Sequence, residues 1–356
     1  MADELPACGP VGPVCGAFGV RLGLMGARAD RRGLAVQTLE FARHMRPDRI
    51  LGIEDPQSPA PDWSGWPTLW GTVGGRRGLD ERTAAAFLTG LDVVWAAETF
   101  YHEQFCRIAA TAGVRTVLHA NPEFFGFDRL GWPRPDVVLN PTSWLNERLS
   151  AKVFPFPVDR DRCQHLPRPL TDPVRFLHVV GQPAMHDRAG TQTLLKALTL
   201  VRRPVDVTIR TQGSLGVDPR PPGHVTLAVE QADVADYWRL YDGFDVLVLP
   251  RRYGGQSLAF NEAASCGLAV VATDVEPQTS WLHPAGRIPV RRRRSFRGMV
   301  GPVPMVEGDP RALAAILDLL STSPQMVADM SAHSDRYAEG VSWGRLGPEF
   351  RQILTA

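Results

Sequence analysis

The sequence predicts an α/β protein built from two doubly wound, parallel-sheet domains, and three observations carry that expectation. Short apolar runs alternate with amphipathic segments of helical period along the chain, the order of a parallel sheet covered by helices. The length of 356 residues exceeds one ordinary core and fits two domains. Residues 154–173 hold five prolines and read as the linker between the domains.

Composition narrows the function classes. Hydrophobic residues make up 44% of the chain, enough for large cores, while a formal net charge of +1 gives no overall field toward nucleic acid or an acidic membrane. The five cysteines (Cys8, Cys15, Cys106, Cys163, Cys266) are scattered and lack a CxxC pair. Reduced thiols without a structural zinc, in a cytoplasmic setting, are the simplest reading. No apolar run is long enough to cross a bilayer, and the start lacks the basic-then-apolar order of a signal peptide.

In chain order, residues 1–17 are rich in Pro and Gly and read as a disordered leader. A first strand from Phe18 leads into the loop 27–33 and an amphipathic helix reaching about His44. Asp30 and Gly33 in that loop either face a cleft or act as an ordinary helix cap and turn glycine. A strand at 49–54 precedes a long loop, 55–78, whose Trp63, Trp66 and Trp70 read as packing aromatics ahead of a sugar platform. Helix 80–89, strand 92–97 ending at Glu98, a helix through Ala112 and strand 115–118 ending at His119 follow, with Glu123 close behind. Polar groups at strand ends are where such sheets place their chemistry. Strand 136–139 and helix 141–150 complete the first domain.

The second domain opens with strand 175–180, the loop 181–190 and helix 191–201. Strands 205–210 and 225–229 and a helix near 233–241 then lead to the most informative stretch, residues 243–274. There a strand (245–249) enters a loop holding Pro250, Arg251, Arg252, Gly254 and Gly255. A short helix (257–266) ended by Gly267 and another strand (268–273) follow. This order puts a helix N-terminus at the carboxyl end of a parallel strand. Its free N–H groups and dipole favour an anion, and the glycines admit a ligand close to the backbone. Glu262 lies too deep in the helix to cap it, and a carboxylate there suits a neutral cis-diol, whose two hydroxyls it can accept from. That is the chemistry of a nucleotide ribose beside its phosphates; the bland alternative for Glu262 is a solvated helix face. Residues 286–298 carry six arginines and no acid, the pattern of a solvated loop or of a grip on phosphates. A helix at 309–320 and, after Ser342-Trp343, a last helix at 347–354 close the chain.

The order strand, Pro250, glycine loop, Glu262, Cys266-Gly267 and the Val-Val-Ala-Thr strand (270–273) resembles the nucleotide-sugar site of retaining GT-B glycosyltransferases of the family 4 kind. The resemblance implies a GT-B fold, two Rossmann-like domains facing a cleft. The acceptor domain would span 18–155 and the nucleotide-sugar domain 156–340, with a C-terminal helix, 341–356, crossing back to the first. It implies transfer of a sugar from a nucleotide-sugar donor to a hydroxyl of a glycan, protein, lipid or small molecule, with retention, without a metal, and with no cofactor beyond the donor as co-substrate. In that family two glutamates stand eight positions apart; Glu262 matches the second, on the ribose, and the first, near the donor sugar, falls on Gly254. His119 matches by position a histidine beside the donor sugar. Gln182 and Ala189 occupy the slots of two family cations, so Arg188, one residue off, is the expected replacement, with Arg251 and Arg252 opposite. Catalytic roles are expected of His119, Arg188 and Glu262, and donor contacts of Gly181, Arg188, Arg251, Gly254, Gly255, Gln256, Ser257, Leu258 and Glu262. Acceptor-side contacts are expected of Asp30, Gly33, Glu98 and Glu123. Two alternatives stand beside this reading: transfer to modified DNA bases, as some phage enzymes perform, gripped by the arginine run, and a GT-B-shaped protein that binds nucleotide sugar without turnover.

Overall fold

The computed structural model describes residues 19–28, 33–56, 59–73, 78–123, 131–162, 170–183, 185–216, 221–232, 234, 237–299 and 301–356. The expected leader and Asp30 fall outside that range. Among the described residues two parallel sheets organise the chain. The first contains β1 (Leu22–Met25), β2 (Arg49–Glu54), β3 (Thr68–Thr72), β4 (Val93–Ala97), β5 (Arg115–His119), β6 (Val137–Asn140) and β7 (Lys152–Val153), in the order β3-β2-β1-β4-β5-β6-β7. The second contains β8 (Arg175–Gly181), β9 (Val205–Thr211), β10 (Val225–Gln231), β11 (Val246–Leu249), β12 (Ala269–Thr273) and β13 (Arg287–Ile288), in the order β10-β9-β8-β11-β12-β13. Both sheets reverse their winding at the middle, between β1 and β4 and between β8 and β11, and the carboxyl ends there are where such folds leave a crevice.

The central strands read as continuous apolar runs because helices cover both their faces. Thus β4 (VVWAA) and β12 (AVVAT) are buried at every position. Helices α1 (Gly33–Met45), α2 (Glu81–Leu88) and α3 (Phe105–Thr111) accompany the first sheet. The second has α4 (Thr191–Leu198), α5 (Leu258–Ser265), α6 (Pro310–Ser321) and α7 (Pro324–Gly340). The last helix, α8 (Trp343–Thr355), returns to the first domain. Its Phe350 meets Phe41, Trp95 and Phe154, and its Trp343 Nε1 donates to Glu40 at 3.3 Å.

Several elements depart from expectation. The loop after β2 contains β3, an edge strand behind Pro67. The segment 141–150 forms only a 3₁₀ turn (Asn146–Arg148), because Asn140 Nδ2 bonds the Trp144 carbonyl and the Asn146 side chain, bonds that compete with helix formation. Near 233–241 the described helix is likewise a 3₁₀ turn (Tyr237–Tyr241). The arginine run is not a loop: β14 (Val290–Gly298) pairs antiparallel with β15 (Gly301–Gly308) as a separate two-stranded ribbon. Helix α7 escaped the sequence reading. Cys106 is a free thiol, whereas Cys266 is disulfide-bonded, which corrects the expectation of reduced thiols. Among the described residues no helix is long and apolar enough to cross a membrane.

Trp95 stacks on Phe41 at 3.9 Å and takes the edge of Phe350, so α8 acts as a staple on the first core. Truncating this fully buried ring, Phe350→Ala, is expected to lower the unfolding free energy by about 3–5 kcal/mol, read as an earlier urea transition in tryptophan fluorescence.

Candidate functional site

A cavity of about 1200 Å³ lies at the facing carboxyl ends of the two sheets. The first domain lines it with Gly33, Leu34, Glu98, Thr99, Tyr101 and Asn121; the second contributes Gly181, Arg188, Thr191, Tyr237, Arg251, Gln256, Ser257 and Leu258, among others. Two helices of the second domain point their N-termini at this space, and they differ in one respect. At α4 an internal carboxylate already occupies the end: Asp187 accepts from Thr191 N at 2.8 Å and Gln192 N at 3.0 Å. At α5 the Ser257 side chain makes no capping bond, and the first N–H with a main-chain partner is that of Phe260, to Ser257 O. The N–H groups of Leu258 and Ala259 therefore remain for a ligand, with the positive end of the helix dipole behind them.

Cations gather beside that open end. Arg188 Nη2 lies 2.6 Å from Glu123 Oε1 of the other domain, and its guanidinium sits 5.4 Å from the Tyr253 ring centroid. Arg251 is buried, donating from Nη1 to the Gly255 carbonyl at 2.9 Å; burial, and then the Arg188 charge, pull its pKa down to about 9. Gly254 makes their convergence possible. It has a φ of +110°, and a Cβ there would collide with the guanidinium groups of both Arg251 and Arg188. Two cations thus pack against position 254, where the sequence resemblance implies a missing glutamate. Glu123 offsets one of them, and its Oε2 is buried without a hydrogen-bond partner.

The remaining expected residues divide. Gly181 (φ +63°), Gly33 and Leu258 line the cavity, and a Cβ on Gly33 would come within 3.5 Å of Leu258 Cδ1. Gln256 grips the linker, accepting from Phe156 N at 2.8 Å and donating to Phe156 O at 2.7 Å. Gly255 is buried against Thr142. Glu98 lines the cavity in a left-handed conformation (φ +67°), and burial, then Glu123, raise its pKa. Arg252 turns away, pairing with Glu307 at 3.2 Å.

Two expected catalytic residues do not line the cavity. His119 is enclosed by Trp95, Phe154, Phe156 and Phe350, with Nε2 bonded to Phe154 O at 2.8 Å. Burial lowers its pKa to about 4, so it is a neutral core residue, withdrawn from donor contact by the packing of α8. Glu262 is buried under two phenols: Tyr237 donates at 3.0 Å and Tyr241 at 2.5 Å. Tyr237, not Glu262, lines the cavity. Sequence reasoning missed both tyrosines, although their spacing of four just before the informative stretch was a usable signal. It also missed Asn121, Tyr101 and the Arg28–Asp55 ion pair at 2.5 Å on the cavity wall.

Residues 175–291 match the family of glycosyl transferases, group 1. That match runs from β8 to the start of the ribbon, over about a third of the chain. Across nearly its whole length it also resembles solved structures. HepE of Anabaena in complex with UDP-glucose superposes with a TM-score of 0.64 at 12% identity, covering 94% of this chain and 99% of that one. Sucrose-phosphate synthase of Thermosynechococcus elongatus gives 0.61 at 13% (94% and 99% covered), and a glycosyltransferase of Rickettsia africae 0.62 at 10% (95% and 99%). At such identities the likeness is one of fold, and the fold is GT-B. No curated protein matches the sequence.

Burial pushes the Glu262 carboxyl up from 4.5 to about 7, against the opposing effect of the two phenols. The folded glycosyltransferase therefore holds a proton that the unfolded chain releases, so this contribution to stability is full below pH 4.5 and is lost as pH rises toward 7. The loss is of order 3 kcal/mol, and Glu262→Gln should flatten that part of the slope in urea titrations across the window. Gly254→Ala should displace both guanidiniums and lower anion affinity, measured by pyrophosphate titration, at least tenfold.

Proposed function

We propose that the enzyme transfers a sugar from a nucleotide-sugar donor to a hydroxyl acceptor in this cleft, with retention of configuration and without a metal. The observation that carries the reading is the convergence of the open α5 N-terminus with Arg188 and Arg251 on one wall of a two-domain cavity, within the group 1 domain. The donor diphosphate would lie against Leu258 N and Ala259 N, and the two guanidiniums would meet the charge that grows on it as the glycosidic bond breaks. The ribose would lie over Tyr237, with Glu262 behind it to take the diol once the phenol moves aside. The donor sugar would project toward the first domain, where Glu98 and Glu123 orient the acceptor hydroxyl, and the departing phosphate oxygen accepts its proton. Closure of the two domains over the donor would exclude water that would otherwise hydrolyse it. HepE, which shares the fold, is solved with UDP and with UDP-glucose, and that supports a uridine diphosphate sugar as the first donor to test.

One observation favours a second reading, donor binding without turnover: the missing carboxylate at Gly254. Calorimetric titration with a panel of nucleotide sugars, run beside an assay of donor hydrolysis and transfer, separates the two. Arg188→Ala should weaken donor binding ten- to a hundredfold, the range for a charge-assisted hydrogen bond of about 1.5–3 kcal/mol. Glu123→Gln controls for the carboxylate that this substitution would strand. Donor affinity unchanged in Arg188→Ala would refute the site, and tight binding with neither hydrolysis nor transfer would favour the second reading.

A further inference from the structure

The ribbon β14–β15 belongs to neither parallel sheet, and the family match ends at Arg291, at its start. It is nonetheless anchored at the cavity mouth. Phe296 packs on His186 (4.5 Å between centroids) and on Tyr253 (4.9 Å), the same ring that carries the Arg188 guanidinium. Its far end touches the first domain, where Arg148 donates to the Pro302 carbonyl and Gly298 lies close to the Glu123 main chain. An element placed so has the acceptor side of the cleft beside it.

Its surface charge is one-sided. Arg291, Arg292, Arg293, Arg294 and Arg297 are all exposed, and Glu307 is the single acid in the ribbon. Glu307 already pairs with Arg252, with Arg294 at 3.9 Å. Among the described residues the side chains of Arg291, Arg292, Arg293 and Arg297 make no hydrogen bond or ion pair beyond the backbone ladder. Opposed residues of an antiparallel ladder share a face. Phe296, Val303, Met305 and exposed Arg294 therefore share one face, and Arg293, Ser295 and Arg297 stand on the other beside buried Val306 and exposed Pro302 and Pro304. A chain whose formal net charge is only +1 concentrates this excess at one place.

We infer that the acceptor is an acidic glycan, a sugar chain bearing carboxylate or phosphate groups, which docks along the Arg293 and Arg297 face of this ribbon while one of its hydroxyls enters the cleft. The inference rests on the transfer reading above. Such a chain supplies both things the site asks for, a hydroxyl to receive the sugar and regularly spaced anions for the guanidiniums. Nucleic acid fits less well. The ribbon's one aromatic, Phe296, is occupied by Tyr253 and His186, so no stacking platform for bases faces outward. Prolines occupy two positions on the docking face where a reader of base edges needs hydrogen-bonding side chains.

The test compares the full chain with the Arg291→Ser/Arg292→Ser/Arg293→Ser/Arg297→Ser variant, whose changed side chains are exposed and unpaired. Both are titrated with polygalacturonate, phosphomannan, neutral dextran and a short DNA duplex, at low and physiological salt, and separately with UDP-glucose. The expected result is tighter binding of one acidic glycan than of dextran by tenfold or more, weakening with salt. The variant should lose at least tenfold of that affinity and most of the salt dependence, with UDP-glucose binding unchanged. The two acidic probes separate carboxylate from phosphate recognition. Equal affinities in parent and variant, no preference for either acidic glycan over dextran, or DNA bound tenfold tighter than both overturns the inference. Absent binding of every nucleotide sugar in the panel, with acidic-glycan binding intact, sinks the transfer reading and not the docking face.

Discussion

Two guanidinium groups held together at a domain boundary are the constraint around which the cleft is built. Like charges repel, and one of them, Arg251, is removed from water, so the arrangement needs compensation close by. Part comes from the Gly255 carbonyl, which accepts from Arg251, and part from Glu123, which reaches across from the other domain to Arg188. Everything local follows from the space this takes. Position 254 must lack a side chain and adopt a backbone conformation that glycine tolerates. Gly190 must likewise be bare, since a Cβ there would strike the Pro250 carbonyl, and the two loops are locked by Arg252 N bonding Arg188 O at 2.9 Å. A phosphate with two negative oxygens completes such a set better than one carboxylate does.

The scaffold places that cluster without its own loops having to be rigid. In each sheet the strands diverge at the switch point, and the loops leaving β1, β4 and β5 face those leaving β8 and β11. What fixes the two sheets relative to each other is largely apolar and distant from the charges. Leu258 packs with both domain cores, Val36 of α1 joins the core of the second domain, and α8 brings Trp343 and Phe350 back onto the first. The cost of ordering the charged loops is thus offset by burial elsewhere, which is why strained residues such as Glu98 and Asp187 can persist at the rim.

The fold was legible because both of its signals are local: alternating strand and helix periods, and a proline-rich junction. The site was legible in part. A strand, a glycine loop and a helix N-terminus at 243–274 give a candidate anion site from backbone geometry alone, and the residues on that backbone (Arg251, Gln256, Ser257, Leu258) line the cavity. Side chains whose direction depends on distant packing were not legible. His119 stands at a strand end, where polar groups usually serve function, but α8, more than two hundred positions later in the chain, closes over it. Glu262 sits on the expected helix, yet two tyrosines on a 3₁₀ turn claim its oxygens. The ribbon was hidden for another reason: consecutive arginines erase the period-two alternation by which a strand is recognised.

The contacts between the domains divide by charge, and the division bears on how the cleft can work. The neutral ones are doubly bonded and shielded: Gln256 makes two bonds to the Phe156 backbone, and Asn261, itself held by Tyr337, adds a longer third at 3.4 Å. A neutral amide paired with main chain carries little desolvation cost and offers nothing to an anion, so it holds position whatever the cavity contains. Glu123–Arg188 is the opposite case. One partner is deeply buried with an oxygen left unpaired, and the other is partly exposed to the cavity, so a stronger anion can take the guanidinium without disturbing the neutral lock. A cleft joined only by ion pairs would come apart when its charges were claimed, and one joined only by amides would have nothing with which to hold a diphosphate. This chain keeps the two tasks on different residues.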